Sequence, residues 1–354
     1  MNPAELARAE IRALKPYASA RALADSAGIL LNANENPWPP PGDGGLALNR
    51  YPDPQPAALR QRLADLYGVS EDQLLITRGS DEGIDLLLRV FCRAGEDSVL
   101  ICPPCFGMYA LSARVQNASI VEVPLIEREG NWQLDVQAIE NSQDCRLYFL
   151  CSPNNPTGNL IAPELVLSLA NRVAGHGLVV IDEAYIEFCD SPSLASHVAS
   201  TANLVVLRTL SKAYALAGCR IGAVIANPEI IDLLRRIIAP YPLPKPSAAA
   251  AMTALSPDGL AEQTRQLETL AEQKKRLLQM LGKHPAVTQV WPGEANFVLV
   301  RTGDAKRLVD DAFAAGIRLR DQSAQPGLGN CVRITIGNAD DTQALIDFLT
   351  DWQP

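Results

Sequence analysis

Apolar runs long enough to cross a bilayer are missing from this 354-residue chain: the longest, such as "AAAAM" and "GLVVI", fall far short of the roughly 20 residues a spanning helix needs. Also missing is any Lys/Arg-rich stripe. The 31 basic and 40 acidic residues leave a net charge of −9, which repels a phosphate backbone and argues against nucleic acid as a partner. The opening stretch, "MNPAELARAEIRALKPYASAR", mixes acids and bases and lacks the apolar core of a signal peptide, so the chain reads as cytosolic. Eight scattered cysteines then read as free thiols in a reducing compartment. One C-x-x-C occurs, Cys102 to Cys105 in "CPPC", with no second pair and only three histidines, His176, His197 and His284, which is poor material for a zinc site. Its two prolines favour an extended path rising about 3.1 Å per residue, holding the two Cα atoms roughly 9 Å apart, too far for a disulfide. The pair therefore reads as a strand end entering a loop. Nucleotide fingerprints are absent as well: no G-x-x-x-x-G-K-[ST] loop accompanies the acid pair in "VVIDEAY", and there is no G-x-G-x-x-G. Low-complexity segments and internal repeats are likewise missing.

What the chain does have is length for two packed units and an average globular composition, 47% hydrophobic and 20% charged. From Gln73 to Ala226, short β-rich runs ("QLLIT", "SVLIC", "SIVEV", "RLYFLC", "LVVID", "LVVLR", "IGAVIA") alternate with helical stretches such as "DEGIDLLLRVFCRAG" and "PELVLSLANRVAGHG". Continuously apolar strands are those covered on both faces. This predicts an α/β fold: a mostly parallel seven-stranded sheet with helices on both faces. Before it, the Pro- and Gly-dense "NENPWPPPGDGGLALNRYPDPQP" reads as an arm. After it, "IAPYPLPKP" breaks the pattern, and a polar helix from near Leu260 to about Leu281 leads into a smaller α+β unit holding "NFVLVR" and "CVRITIG". The expected division is an arm over 1–45 packing with the small domain, a large domain over 46–246, and a small domain over 247–354.

Ligands of open α/β sheets bind at the carboxyl ends of the strands, so the polar residues after each apolar run are the place to look for chemistry. Those residues are "RGSDEG", "PPCFG", "SPNNPTG", "DEAY" and "TLSK". They become intelligible together if the ligand is a phosphorylated pyridine aldehyde. Lys212 supplies an amine for a Schiff base. Asp182 faces the pyridine nitrogen and keeps it protonated, so that the ring can accept electrons. Asn155 and Tyr185 donate to the ring oxygen, and Phe106 offers a flat face for stacking. Gly79, Ser80 and Asp81 open a helix whose free amides suit a phosphate, with hydroxyls from Thr209 and Ser211 and a charged fork from Arg220.

The run "TLSKAYALAGCR" resembles the lysine signature of fold type I pyridoxal-phosphate aminotransferases, and "SPNNPTG" and "DEAY" are similar to their other coenzyme motifs, in matching order. Further segments, "LNANENP", "LNRYPDPQP", "RGSDEGIDLL", "CPPCFGMY", "IAPYPLP" and "LRDQ", resemble the histidinol-phosphate aminotransferases within that group, from Tyr17 to the last strand. Cys105 departs from the threonine usual there. The resemblance implies pyridoxal 5′-phosphate as coenzyme and reversible amino transfer between histidinol phosphate and glutamate/2-oxoglutarate, in histidine biosynthesis. It further implies that Arg333, assisted by Arg320, binds the substrate's anionic group, and that Tyr17 and Asn155 border the substrate pocket. Tyr51 would reach from a second subunit of a homodimer to the coenzyme phosphate.

Two other enzymes on the same coenzyme would share these residues: a decarboxylase of a phosphorylated amino acid and an aromatic amino acid aminotransferase. A ligand-sensing regulator on this fold would carry a basic DNA-binding module, for which the chain has neither the length nor the charge.

Overall fold

Two sheets organise the chain. A computed structural model describes residues 2–17 and 29–353. The strands of the large domain are β1 (Leu74–Thr77), β2 (Ser98–Ile101), β3 (Ser119–Glu122), a hairpin of β4 (Ile126–Arg128) with β5 (Asn131–Gln133), then β6 (Leu147–Cys151), β7 (Leu178–Asp182), β8 (Leu204–Thr209) and β9 (Gly222–Ala226). The large sheet runs in the order β1-β9-β8-β7-β6-β2-β3. Its pairs from β8 to β3 are parallel, while β9 lies antiparallel to both of its neighbours. All seven of these strands are the apolar runs read from the sequence. The hairpin escapes that reading because its residues are largely polar; Trp132 anchors it against Trp291.

Helices cover both faces, as the unbroken burial of β1, β2, β6, β7, β8 and β9 requires. On one face, Leu86, Val90 and Phe91 of the helix Ser80–Phe91 pack with Ile230 and Leu234 of the helix Pro228–Ile237. On the other, Leu59 and Leu63 of Ala57–Tyr67 and Val166 and Ala170 of Pro163–Val173 join one buried apolar cluster. The latter helix ends at Val173, with Ala174 as its C-cap.

The small domain builds β10 (Val287–Trp291), β11 (Phe297–Thr302), β12 (Arg320–Asp321) and β13 (Cys331–Thr335) in the order β10-β11-β13-β12. One face of this sheet packs on its own helices through Val298, Val300 and Val332, and the other, through Trp291, Leu299 and Cys331, joins the core of the large domain. The polar helix runs from Pro257 to Leu281, and the Ser256 hydroxyl caps it by accepting from Gly259 N.

Two features bear on the expected organisation. Pro246 lies in the first turn of a helix, Lys245–Ala254, because proline's missing N–H costs nothing there. Leu243, Ala251 and Leu255 of this segment are buried in the core that the large sheet shares with one face of the small sheet. The arm's described N-terminal part does not pack with the small domain. Leu6 and Ala7 are buried among the helices of the large sheet, Arg8 N donates to Val90 O at 3.0 Å, and the guanidinium of Arg236 donates to Arg12 O. The apolar positions of "PAELARAEI" give the segment a face that this helical layer covers.

No helix among the described residues is long and apolar enough to cross a membrane. All eight cysteines are free. The "CPPC" segment bends, with a cis peptide between Pro103 and Pro104, where an extended path was expected. Both thiols are buried, and burial pushes Cys105 up to about 12.

Candidate active site

A cavity of about 580 Å³ opens at the carboxyl ends of the parallel strands, between the two domains. Every expected coenzyme contact lines it except Gly79, which lies at its margin, and Tyr51. Lys212 follows β8 by three residues and sends its Nζ toward the cavity, 5.6 Å from the centre of the Tyr185 ring. Its amine is open to cavity solvent yet walled by protein. Burial first, and the guanidinium of Arg333 second, lower its pKa, which favours the neutral form that can attack an aldehyde.

Asp182 ends β7 on the cavity floor, 3% exposed. Both of its oxygens are held: Oδ2 accepts from the Tyr109 hydroxyl at 2.8 Å and Oδ1 from Ala184 N at 3.1 Å. Burial pushes its carboxyl up to about 6, against the lowering effect of those two hydrogen bonds. Above that pH it is a buried anion with no salt-bridge partner among the described residues, which is a suitable partner for a protonated ring nitrogen.

Asn155 lies between two functional groups. Its Nδ2 donates to Tyr185 Oη at 3.3 Å, and its Oδ1 accepts from Arg333 Nη1. Burial raises the Tyr185 pKa, so the phenol keeps its proton and can donate it in a hydrogen bond. Phe106 meets Tyr109 edge to face, ring centres 5.7 Å apart.

The phosphate cradle forms where three chain segments crowd together. Gly79 caps the helix Ser80–Phe91 at φ +77°, a conformation that L side chains rarely adopt, and a Cβ built there would lie 2.6 Å from Arg220 Nη2. Arg220 sits in the left-handed region at φ +54°, which turns its guanidinium back over the helix start to contact Asp81 Oδ2 at 3.0 Å and Ser211 Oγ at 3.4 Å. Thr209 Oγ1 accepts from Ser211 N at 3.1 Å. Helix amides, two hydroxyls and a guanidinium thus converge on a space that a side chain at residue 79 would invade; this donor set fits a phosphate monoester.

Arg320 and Arg333 stand directly opposite each other across β12 and β13, and both line the cavity. Like charges in register repel unless an anion lies between them. Burial, and then Arg320, oppose the charge on Arg333 in the absence of such an anion, although the Tyr185 phenol favours it. Arg333 also leaves its Nε buried without a partner among the described residues.

A buried ion cluster lies beneath the cavity floor. Arg208, the residue before Thr209, donates to Glu187 Oε1 at 2.7 Å and to Glu183 Oε2 at 3.4 Å. It ties the loop carrying Asp182 and Tyr185 to the strand leading to Lys212.

Neither Tyr17 nor Tyr51 lines this cavity. Tyr17 is 74% exposed, and Tyr51, 49% exposed, stacks on Tyr241 at 4.4 Å in a separate recess with Glu35 and Arg50. Sequence reasoning had assigned no role to Tyr109, Gln322 or Gln325; the last two line the cavity, and Gln325 Nε2 donates to Cys105 O at 3.3 Å. Gln322 and Gln325 come from the small sheet's side of the cavity, and Tyr109 lies three residues beyond Phe106, on the helix Met108–Val115.

Comparison with known proteins decides the family, because the profile described as "Aminotransferase class I and II" matches residues 43–349. The chain belongs to the class I and II aminotransferases. A histidinol-phosphate aminotransferase of Stenotrophomonas maltophilia is 46% identical to this aminotransferase over 98% of the chain and 96% of the relative. One from Pectobacterium atrosepticum is 47% identical over 94% and 93% of the respective chains. Among solved structures, histidinol-phosphate aminotransferase from Clostridium acetobutylicum superposes with a TM-score of 0.78 at 25% identity, covering 86% of this chain and 90% of that one. The enzyme of that name from Sinorhizobium meliloti, solved in complex with pyridoxal-5′-phosphate, shares the fold at a TM-score of 0.76 and 24% identity, over 90% of each chain.

Proposed function

We infer that this aminotransferase moves an amino group reversibly between L-histidinol phosphate and 2-oxoglutarate, giving imidazole-acetol phosphate and L-glutamate, as a step in histidine biosynthesis. The observation that carries this reading is identity of 46% extending over 98% of the chain with a histidinol-phosphate aminotransferase. The cavity supports it, since two opposed arginines suit a phosphate on one substrate and a carboxylate on the other. The coenzyme is pyridoxal 5′-phosphate, which when bound supplies an aldehyde to capture the amino nitrogen and a protonated ring to take up electrons.

Around it the chain's own residues divide the work. Lys212 Nζ would hold the coenzyme's aldehyde and, in its neutral form, would take the proton that leaves the substrate carbon; its lowered pKa suits it to act as a base. Asp182 holds the ring nitrogen's proton in place, and Asn155 with Tyr185 binds the ring oxygen. Phe106 covers the ring face. The amides of Gly79, Ser80 and Asp81, with Thr209, Ser211 and Arg220, retain the phosphate. Arg333, braced by Asn155, orients the substrate anion, with Arg320 completing the clamp.

A homodimer completes the picture. The described arm leaves Ile29 and Trp38 89% and 75% exposed, an apolar surface suited to a second copy. In that assembly Tyr51 reaches the partner's coenzyme phosphate, and Tyr17 borders a substrate pocket. Eight free thiols accord with a cytosolic enzyme.

The test mixes the coenzyme-loaded protein with histidinol phosphate and, separately, with phenylalanine. Histidinol phosphate alone should rapidly bleach the coenzyme's visible band, with recovery on adding 2-oxoglutarate. Equal bleaching by phenylalanine would make it an aromatic aminotransferase, and release of carbon dioxide a decarboxylase.

A further inference from the structure

Asp182 is the acid on which the coenzyme chemistry turns, and one hydroxyl outside the assigned set touches it. Tyr109 stands near the start of the helix Met108–Val115 and donates from its Oη to Asp182 Oδ2 at 2.8 Å, wholly inside the protein. Its ring is fixed on two sides: it stacks on Phe149 with ring centres 5.1 Å apart and planes 8° from parallel, and it meets Phe106 edge to face. A phenol held this firmly has one direction in which to donate, and that direction is the carboxylate. Because Ala184 N binds the other oxygen, the carboxylate plane is set by two donors from different elements.

We propose that Tyr109 is a positioning residue for amino transfer: its hydroxyl fixes the orientation of Asp182 toward the coenzyme ring, favours the ionised carboxylate, and couples it to the Phe106 face. The proposal rests on the coenzyme reading and is independent of which amine is the substrate. Burial works against ionisation of Asp182, as does the nearby Asp81, while the hydrogen bonds from Tyr109 and Ala184 and the charge on Lys212 work for it. Two further titratable groups face it, the Cys151 thiol and the Tyr185 phenol, and burial raises the pKa of each, so both stay neutral. Removing the Tyr109 hydroxyl therefore leaves a carboxyl that holds its proton to higher pH.

The decisive experiment compares Tyr109→Phe with the parent by coenzyme titration, by the pH dependence of the bound coenzyme's absorption, and by the acid limb of kcat/KM. A hydrogen bond to a charged group is lost, so coenzyme affinity should fall roughly tenfold or more. The acid limb and the spectral transition should both move up by about one pH unit. In an Asp182→Asn background the same substitution should add little to the affinity loss, since the amide that replaces the carboxylate carries no charge for the hydroxyl to stabilise. Site-specific replacement of Tyr109 by 3-fluorotyrosine, a stronger donor of nearly the same shape, should move the limb downward, and it decides the matter if Tyr109→Phe is not recovered folded. Unchanged affinity with unmoved profiles, or an equal loss in the Asp182→Asn background, would overturn the proposal. Failure to use histidinol phosphate would leave these readouts intact and would count only against the substrate assignment.

Discussion

Gly222→Ala adds one methyl group at the point where the sheet meets the phosphate cradle. Gly222 opens β9 and is paired on both sides, with Thr77 of β1 and Thr209 of β8. A Cβ there would lie 2.5 Å from the carbonyl carbon of Gly79, 2.6 Å from Ser80 N and 2.9 Å from Arg208 O. All three are backbone atoms, so no rotamer change relieves the clash. Restoring ordinary contact distances requires a displacement of about 0.9 Å between β9 and the helix start. Overpacking of this kind costs about 1–3 kcal/mol. The displaced segment carries the amides of Gly79 and Ser80, so the damage extends to the coenzyme: one misaligned hydrogen bond to an anion lowers affinity roughly 10- to 100-fold. Thermal melts with and without coenzyme, together with coenzyme titration, separate the two effects. The coenzyme-free variant should melt several degrees lower, and the gap between free and loaded protein should narrow. Gly303→Ala is the control, since nothing lies within 4 Å of its added Cβ. Melting and affinity unchanged in Gly222→Ala would refute the placement of the cradle.

The remaining predictions concern charge. The Asp182 carboxyl, raised in the folded protein from 3.8 to about 6, keeps its proton between those values while the unfolded chain has lost it. Folding of the coenzyme-free protein therefore weakens as pH rises from about 4 to 6, by at most about 3 kcal/mol, and the penalty persists above that window. Asp182→Asn should abolish this dependence and melt higher than the parent above pH 6 without coenzyme, while binding coenzyme more weakly; melting curves across that range check both. Arg333→Lys loses the planar fork that meets Asn155 and the substrate anion, so KM for both amino donor and acceptor should rise by an order of magnitude or more, with the bound coenzyme's spectrum little changed.

Strands were legible because burial on both faces leaves an unbroken apolar run, and the chemistry was legible because each such run delivers its next polar residue to one edge of the sheet. Asp182, Asn155, Thr209 and Lys212 were found in that way, and the structure gathers them around one cavity. Tyr109 was not, since a tyrosine near the start of an amphipathic helix has the pattern of a core residue, and only the 73-residue jump across the fold reveals its partner. Gln322 and Gln325 escaped for a related reason: they arrive from the small domain, whose contribution to the cavity depends on how the two sheets meet. The β4–β5 hairpin carries too little apolar periodicity to announce itself, and the arm's docking face depends on which helical layer happens to lie beneath it.

Borohydride reduction of the protein saturated with pyridoxal 5′-phosphate, followed by peptide mapping, addresses the attachment point directly. A single labelled peptide containing Lys212, and none from Lys212→Ala, is the expected result. Label on another lysine, or coenzyme released unreduced from the parent protein, would contradict the assignment of this cavity as an aminotransferase active site.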